Sequence, residues 1–358
     1  MSDELDLLRE TLDAALRAAH RDGVEQLENG AIAEVAWRQA LELGWDLIGL
    51  PIDLDGFGDS VAPLVALARL CGAYPVAMPV IETALARWAL AHAGGEQPAS
   101  HEVLTIAPGA LDGLTAVTGD RFSGEVTRVP WLRHASRLIL TGQSSTLAVI
   151  AIDQPGVDIH CDVNLAGEPR DRATLTDAAA TLIVGEAAAR TAVLLPLRAA
   201  LFVAAQMFGA MQQTLAATRE HTAARTQFGR SLDSFQLIGA HIAQIASHLA
   251  AVEGLLDEAS LAHDLGEPRG TTAALRVVAS RAATMVARSA HQCHGAIGVT
   301  REYRLHHYSR RLWAWREEQG GERHWSRVLG AAALDDPREA IWGLTQPTLE
   351  PSGTAPDA

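Results

Sequence analysis

The 358-residue chain contains no lysine; all 29 of its basic residues are arginine. That excludes Schiff-base chemistry and the phosphate-binding loop that depends on a lysine. Arginine is left for bidentate contacts to phosphate. Positive charge is scarce beside 43 acidic residues, and the formal net charge is −14. A nucleic-acid partner needs a basic footprint, so none is expected, and neither is an anionic membrane surface. Only three cysteines occur, Cys71, Cys161 and Cys293, far apart and without a CxxC pair. They read as free thiols in a reducing compartment. His291, His294, His306 and His307 are the densest histidine group, but no carboxylate or thiolate stands at helical ligand spacing, so no metal is expected. A GxGxxG turn is missing, since Gly56-Phe57-Gly58 lacks its third glycine, and HExxH and GxSxG are absent. No uninterrupted apolar run reaches bilayer-spanning length. The acidic start Met1–Asp6 lacks the charged-then-apolar order of a signal peptide. These absences lead to the expectation of a soluble, cytoplasmic protein.

With 48% hydrophobic residues, the chain can bury a large core shared by two or three domains. Residues 1–100 carry apolar residues at helical three- and four-residue spacing, with helices expected around 61–73 and 80–93 and a glycine-rich loop at 51–59. Residues 101–184 change to short β-rich runs punctuated by Gly, Pro, Asp and Asn, the pattern of a small antiparallel β domain. Residues 185–345 return to helix. One long helix is expected from 186 to 224. A second begins near Ser234 with Ile238, Ile242, Ile245, Leu249, Val252 and Leu256 on one seam. A third covers 271–293, and a fourth carries Trp313 and Trp315. Such helices read as a four-helix bundle. The tail 346–358 reads as disordered. The fold class is therefore α+β multidomain and mainly α.

The most informative motif is Arg225-Thr226-Gln227-Phe228-Gly229, followed by Phe235-Gln236 and, about sixty residues on, Gln292-Cys293-His294-Gly295-Ala296-Ile297-Gly298. Arg225 alone would be a solvated cation at a helix end, and the glycines alone a helix stop. Together, in this order and spacing, they resemble the acyl-CoA dehydrogenase family, and the order of helical domain, β domain and helical bundle resembles that family's fold. The resemblance implies FAD as cofactor, an acyl-CoA substrate, and an electron-transfer flavoprotein or similar acceptor. By the family motif, Arg225 holds the FAD pyrophosphate with Gln227 and Phe228 beside it, Gln236 lies near the adenosine, and Gln292, Gly295 and Gly298 border the adenine. In the family the FAD lies between subunits, one chain holding the ring and its neighbour the adenosine end.

The resemblance breaks in two places. α,β-Dehydrogenation needs a carboxylate to take the α-proton while a hydride passes to the flavin. The family's usual base position falls on Gln319, and an amide cannot do that work at neutral pH. Glu317 and Glu318 are the weak candidates, each rotated away by about 100° per residue on a helix. The family's alternative base position falls near Ala199, beside Arg198. The second break is in the β domain, where Thr105-Ile106-Ala107-Pro108 replaces the family's ring-binding loop and the tryptophan strand is not recognisable. Three readings stay open. The chain resembles the supporting subunit of heteromeric acyl-CoA dehydrogenases of steroid side-chain degradation, pairing with a second, catalytic subunit in a heterotetramer. Alternatively it is a self-sufficient homo-oligomeric enzyme using Glu318 or Glu317, or a flavin-free scaffold.

Overall fold

The computed structural model describes residues 7, 9–20, 30–142 and 146–335; the expected tail at 346–358 lies outside them. Helix α1 (residues 9–20) buries Leu12 and Leu16. It is followed by α2 (Glu34–Glu42), α3 (Ala62–Ala73) and α4 (Val80–Ala93). Each stop has a local cause: α4 begins behind Pro79 and ends where Gly94 turns left-handed at φ 77°. The glycine-rich loop holds a single short turn, Ile52–Leu54.

Eight strands follow: β1 (Leu104–Ala107), β2 (Thr115–Thr118), β3 (Arg121–Pro130), β4 (Arg137–Thr141), β5 (Leu147–Ala151), β6 (Val157–His160), β7 (Arg170–Ala179) and β8 (Thr181–Ile183). They form two four-stranded sheets, ordered β1-β4-β5-β8 and β2-β3-β7-β6. Phe122, Val126, Leu138, Leu140, Ile150 and Leu175 fill the core of this β unit. The pairings are antiparallel except one: β1 runs parallel to β4, with Ile106 opposite Ile139. Periodicity within a strand carries no information about its neighbour's direction, so the all-antiparallel expectation is corrected here.

The remaining helices are α5 (Glu186–Ala224), α6 (Gln236–Asp264), α7 (Arg269–His294), α8 (Leu305–Trp315) and α9 (Gly321–Asp335). The expected fourth bundle helix is therefore two helices. Gln319, Gly320 and Gly321 have φ of 49°, 98° and 60°, and this left-handed run breaks the chain between α8 and α9. Ile245, Leu249, Val252 and Leu256 of α6 are buried on the expected seam, while Ile238 and Ile242 are only half-buried. Helix α5 is the central element, packed against α3, α4, α6, α7 and α8. It meets α3 at two glycines: a Cβ on Gly72 would stand 1.9 Å from the Gln206 carbonyl oxygen, and one on Gly209 1.9 Å from that of Arg69. By length and average composition it could cross a bilayer, although Arg198 and Gln206 interrupt its apolar run, and 72% of its most apolar window is buried inside the fold. The thiols differ in exposure: Cys293 is buried, Cys71 half-buried and Cys161 exposed, and burial pushes Cys293 up to about 11.

Candidate functional site

Two separate regions carry the candidate residues. The first is one end of the bundle. Arg225 caps the C-terminus of α5, and Gln227 and Phe228 follow in the small hairpin formed by Thr226–Gln227 and Arg230–Ser231. Gln236 opens α6, Gln292 lies in the last turn of α7, and Gly295 ends it with φ 62°. Cross-helix contacts bring these ends together. His221 of α5 stacks on His294 of α7 at 4.5 Å, and Ser289 of α7 donates to Gln244 of α6 at 2.9 Å. Arg225, Gln227, Gln236 and Gln292 are exposed, and Phe228 is 92% exposed. Among the described residues no side-chain hydrogen bond or ion pair occupies Arg225, Gln227, Gln236 or Gln292. Gly298 is buried so tightly that a Cβ there would meet His294 at 2.8 Å. One cation and several amides with idle donors converge here; Arg225 suits a phosphate through its guanidinium, and of these helix ends only the start of α6 at Gln236 adds a dipole favourable to an anion.

The histidine group is divided by the fold. His294 donates from Nδ1 to the Ala290 carbonyl at 2.7 Å, and His306 lies ring to ring with His307 at 3.9 Å. Burial lowers His291 and His294, the latter further beside His221. No group of three metal-ligating side chains occurs among the described residues.

The second region lies where the β unit meets the bundle. A cavity of about 700 Å3 opens there, lined among others by Ile106, Pro108, Arg128, Thr141, Pro196 and Gln319. Strand β3 runs to Pro130 beside this cavity, and buried Trp131 follows it in the next turn. Ile106, Ala107 and Pro108, from the segment that replaces the expected ring-binding loop, line this cavity. The cavity is large enough to hold a drug-sized or cofactor-sized ring system.

The three carboxyl and amide candidates differ in what holds them. Glu318 is buried (8% exposed), and Arg170 donates to both its oxygens, at 3.0 Å from Nε and 2.8 Å from Nη2. Asn164 adds a third hydrogen bond at 3.0 Å. Glu317 is exposed and pairs with Arg316 at 2.9 Å. Gln319 lines the cavity, and its carbonyl oxygen accepts from Trp325 Nε1 at 2.8 Å. Arg276, fully buried, donates to the Glu318 carbonyl at 2.7 Å and fixes the same turn. Behind Glu318 stands Glu168, which accepts from Arg311 Nε at 3.1 Å and Trp315 Nε1 at 2.8 Å. Burial pushes the Glu168 carboxyl up, but Arg311 and Arg170 outweigh it and hold the group below the usual carboxylate range. Ala199 is buried, and no carboxylate lies beside it on α5.

Sequence reasoning missed Arg170, Asn164 and Glu168. Their spacing carries no signal, since Arg170 and Glu318 are 148 residues apart. It also missed Glu82, which borders two small inner chambers together with Arg170. Burial pushes the Glu82 carboxyl up to about 7, against the pull of Arg170.

Residues 187–322 match the sequence family described as Acyl-CoA dehydrogenase, C-terminal domain. The acyl-CoA dehydrogenase IpdE2 of Mycobacterium tuberculosis (strain ATCC 25618 / H37Rv) is 26% identical over 368 residues, spanning 97% of this chain and 98% of its own. Two solved structures share the fold. The ChsE4-ChsE5 complex from Mycobacterium tuberculosis superposes with a TM-score of 0.84 at 22% identity, covering 93% of this chain and 98% of that one. The Tcur3481-Tcur3483 steroid ACAD G363A variant gives 0.84 at 23% identity, with the same coverage.

Proposed function

The chain belongs to the acyl-CoA dehydrogenase family, and from that premise we propose that it is one subunit of an FAD-dependent acyl-CoA dehydrogenase built from two unlike chains. In this reading it supplies the grip on the flavin's nucleotide tail, and the partner supplies the base. A distance carries the sharing of one flavin between chains, and the engagement of Glu318 by Arg170 and Asn164 favours a partner unlike this chain. From Pro196, which lines the cavity, to Arg225 at its end, α5 climbs roughly 44 Å at 1.5 Å per residue. One extended dinucleotide cannot reach both regions of the same chain. The tail grip therefore serves a flavin whose ring lies against a neighbouring chain.

Bound FAD supplies the hydride acceptor. Toward it, Arg225 presents two parallel donors suited to a pyrophosphate. Gln236 and Gln292 offer amides to the adenosine end, and left-handed Gly295 allows close backbone approach. Proton abstraction from the substrate is assigned to the partner. The lone pairs of Glu318 are engaged by Arg170 and Asn164, Gln319 is an amide, and Glu317, at the rim of the cavity, is more than half exposed and paired with Arg316. Because a steroid ACAD shares the fold, a steroid-derived CoA thioester is the substrate class to test first, with an electron-transfer flavoprotein or similar acceptor taking the electrons.

The 700 Å3 cavity favours one competing reading, in which this chain also seats a ring and acts alone. Flavin content separates the two. The chain purified alone should be colourless, and co-expression with its partner should give a yellow, active complex with one FAD per two chains. Arg225→Ala should strip flavin from that complex. A lone chain that is yellow and reduces dye with an acyl-CoA overturns the proposal.

A further inference from the structure

The tail grip has a titratable neighbour outside its motif. His221 stands in the last turn of α5, and the Arg225 amide donates to its carbonyl at 2.9 Å. Residues four apart share one face of a helix. The imidazole lies flat on His294 of α7, with ring centroids 4.5 Å apart and planes 17° from parallel. Tyr303, in the turn before α8, meets it edge-on at 5.6 Å. Three elements therefore fix a half-buried ring, and among the described residues neither of its nitrogens has a hydrogen-bond or ion-pair partner.

The charged and titratable groups around this ring are accounted for. On α5, the preceding residue Glu220 is paired with Arg304. On α7, His294 donates from Nδ1 to the Ala290 carbonyl at 2.7 Å, and burial lowers both it and His291. Tyr303 donates to the Ala217 carbonyl at 3.2 Å, and burial raises its hydroxyl. Burial, and then the charge of Arg225, hold His221 below the usual histidine range. A pyrophosphate against Arg225 reverses the second of these causes. It cancels the repulsion from the guanidinium and attracts a further cation. The C-terminal end of α5 favours positive charge as well.

We propose that His221 is a second, proton-dependent cation of the tail grip, neutral without a nucleotide and protonated once a pyrophosphate lies against Arg225. One proton passes from solvent to the free imidazole nitrogen as the nucleotide binds, and no covalent bond between heavy atoms changes. The inference rests on the tail-grip reading and deepens it, because it makes flavin retention depend on pH. Binding takes up a proton, so affinity is full where the flavin-free imidazole is already protonated. It falls as the pH rises toward the higher value of the bound state, and is level above that.

The test titrates FAD into the deflavinated complex of this chain with its partner, by calorimetry in buffers of different ionisation heat. FAD serves because a pyrophosphate diester keeps its charge through the neutral range. An opposite charge nearby changes a proton affinity by about tenfold or more. The wild-type dissociation constant should therefore rise at least about tenfold from about pH 5.5 to 8.5. Near neutral pH the wild type should take up a fraction of a proton that His221→Gln does not. His221→Gln should give a flat affinity at the weaker level, and His221→Arg, charged throughout, a flat affinity at the tighter one. A His221→Gln complex that weakens equally at every pH, or takes up as many protons as the wild type, overturns the proposal and leaves His221 a packing residue. So does a His221→Arg complex that follows the wild-type slope. Flavin content separates this failure from that of the tail grip. An Arg225→Ala complex that keeps its flavin removes the tail grip and this inference with it, whereas flavin lost there without any proton difference at His221 removes only the role of His221.

Discussion

Replacing Arg170 by alanine leaves Glu318 buried without its shared cation. Arg170 is 10% exposed and Glu318 8%, so solvent does little to screen the orphaned carboxylate. Glu318 loses the bidentate contact at 3.0 and 2.8 Å and keeps only Asn164. Breaking a buried pair by removing one partner costs about 3–5 kcal/mol. At about 2.1 cal/mol/K per residue, a chain of this length unfolds with an entropy near ~0.75 kcal/mol/K, so the thermal midpoint should fall by roughly 4–7 °C. The double variant Arg170→Met with Glu318→Leu removes both charges together. Glu168 is left with Arg311 and Trp315, so the double variant should recover most of the loss. Differential scanning calorimetry of the three proteins decides the matter. A single variant that melts within about 1 °C of the wild type, on the same entropy scale, refutes the reasoning. So does a double variant no more stable than the single.

Glu318→Gln should lower the melting temperature yet leave turnover of the complex largely intact, because the carboxylate serves the fold; a severe loss of kcat with flavin retained contradicts this. Gly209→Ala drives a methyl into the Arg69 carbonyl at the α3–α5 crossing and should destabilise by about 1–3 kcal/mol or more; an unchanged urea midpoint shows that the helices part freely. His263 is buried against Thr272, and burial, reinforced by the charge of Arg198, pushes it down to about 3. The folded chain stays neutral there while the unfolded chain takes up a proton near ~6.5. Stability is therefore full above that pH and falls as the pH drops from it toward 3, at about 1.4 kcal/mol per unit. His263→Gln should flatten the acid limb of the urea midpoint against pH; coincident limbs for variant and wild type refute the assignment.

Much of the helical framework was legible because its cause is local. The three- and four-residue spacing places α3, α4 and α5 within a residue or so of where they lie, since an amphipathic period is written into consecutive side chains. The split between α8 and α9 was not legible in the same way. Trp313 and Trp315 continue a helical pattern, and only the left-handed run at Gln319–Gly321 ends it. The parallel pairing of β1 with β4 was hidden as well, because strand direction is settled by the path of the intervening chain.

The sequence by itself determined the chemistry that is available. It offers arginine without lysine, an amide at position 319, and donors at Arg225, Gln236 and Gln292 that fall at helix ends. Tertiary structure alone decided which of these groups are engaged. It ties Glu318 to Arg170 across the junction of sheet and bundle, opens a cavity between the β unit and the bundle, and leaves Arg311 Nη2 without a hydrogen-bond partner among the described residues. The reason is physical: residue type and period are properties of neighbours along the chain. Ion pairing, burial and cavity shape depend on which distant surfaces pack together, and no spacing rule encodes that.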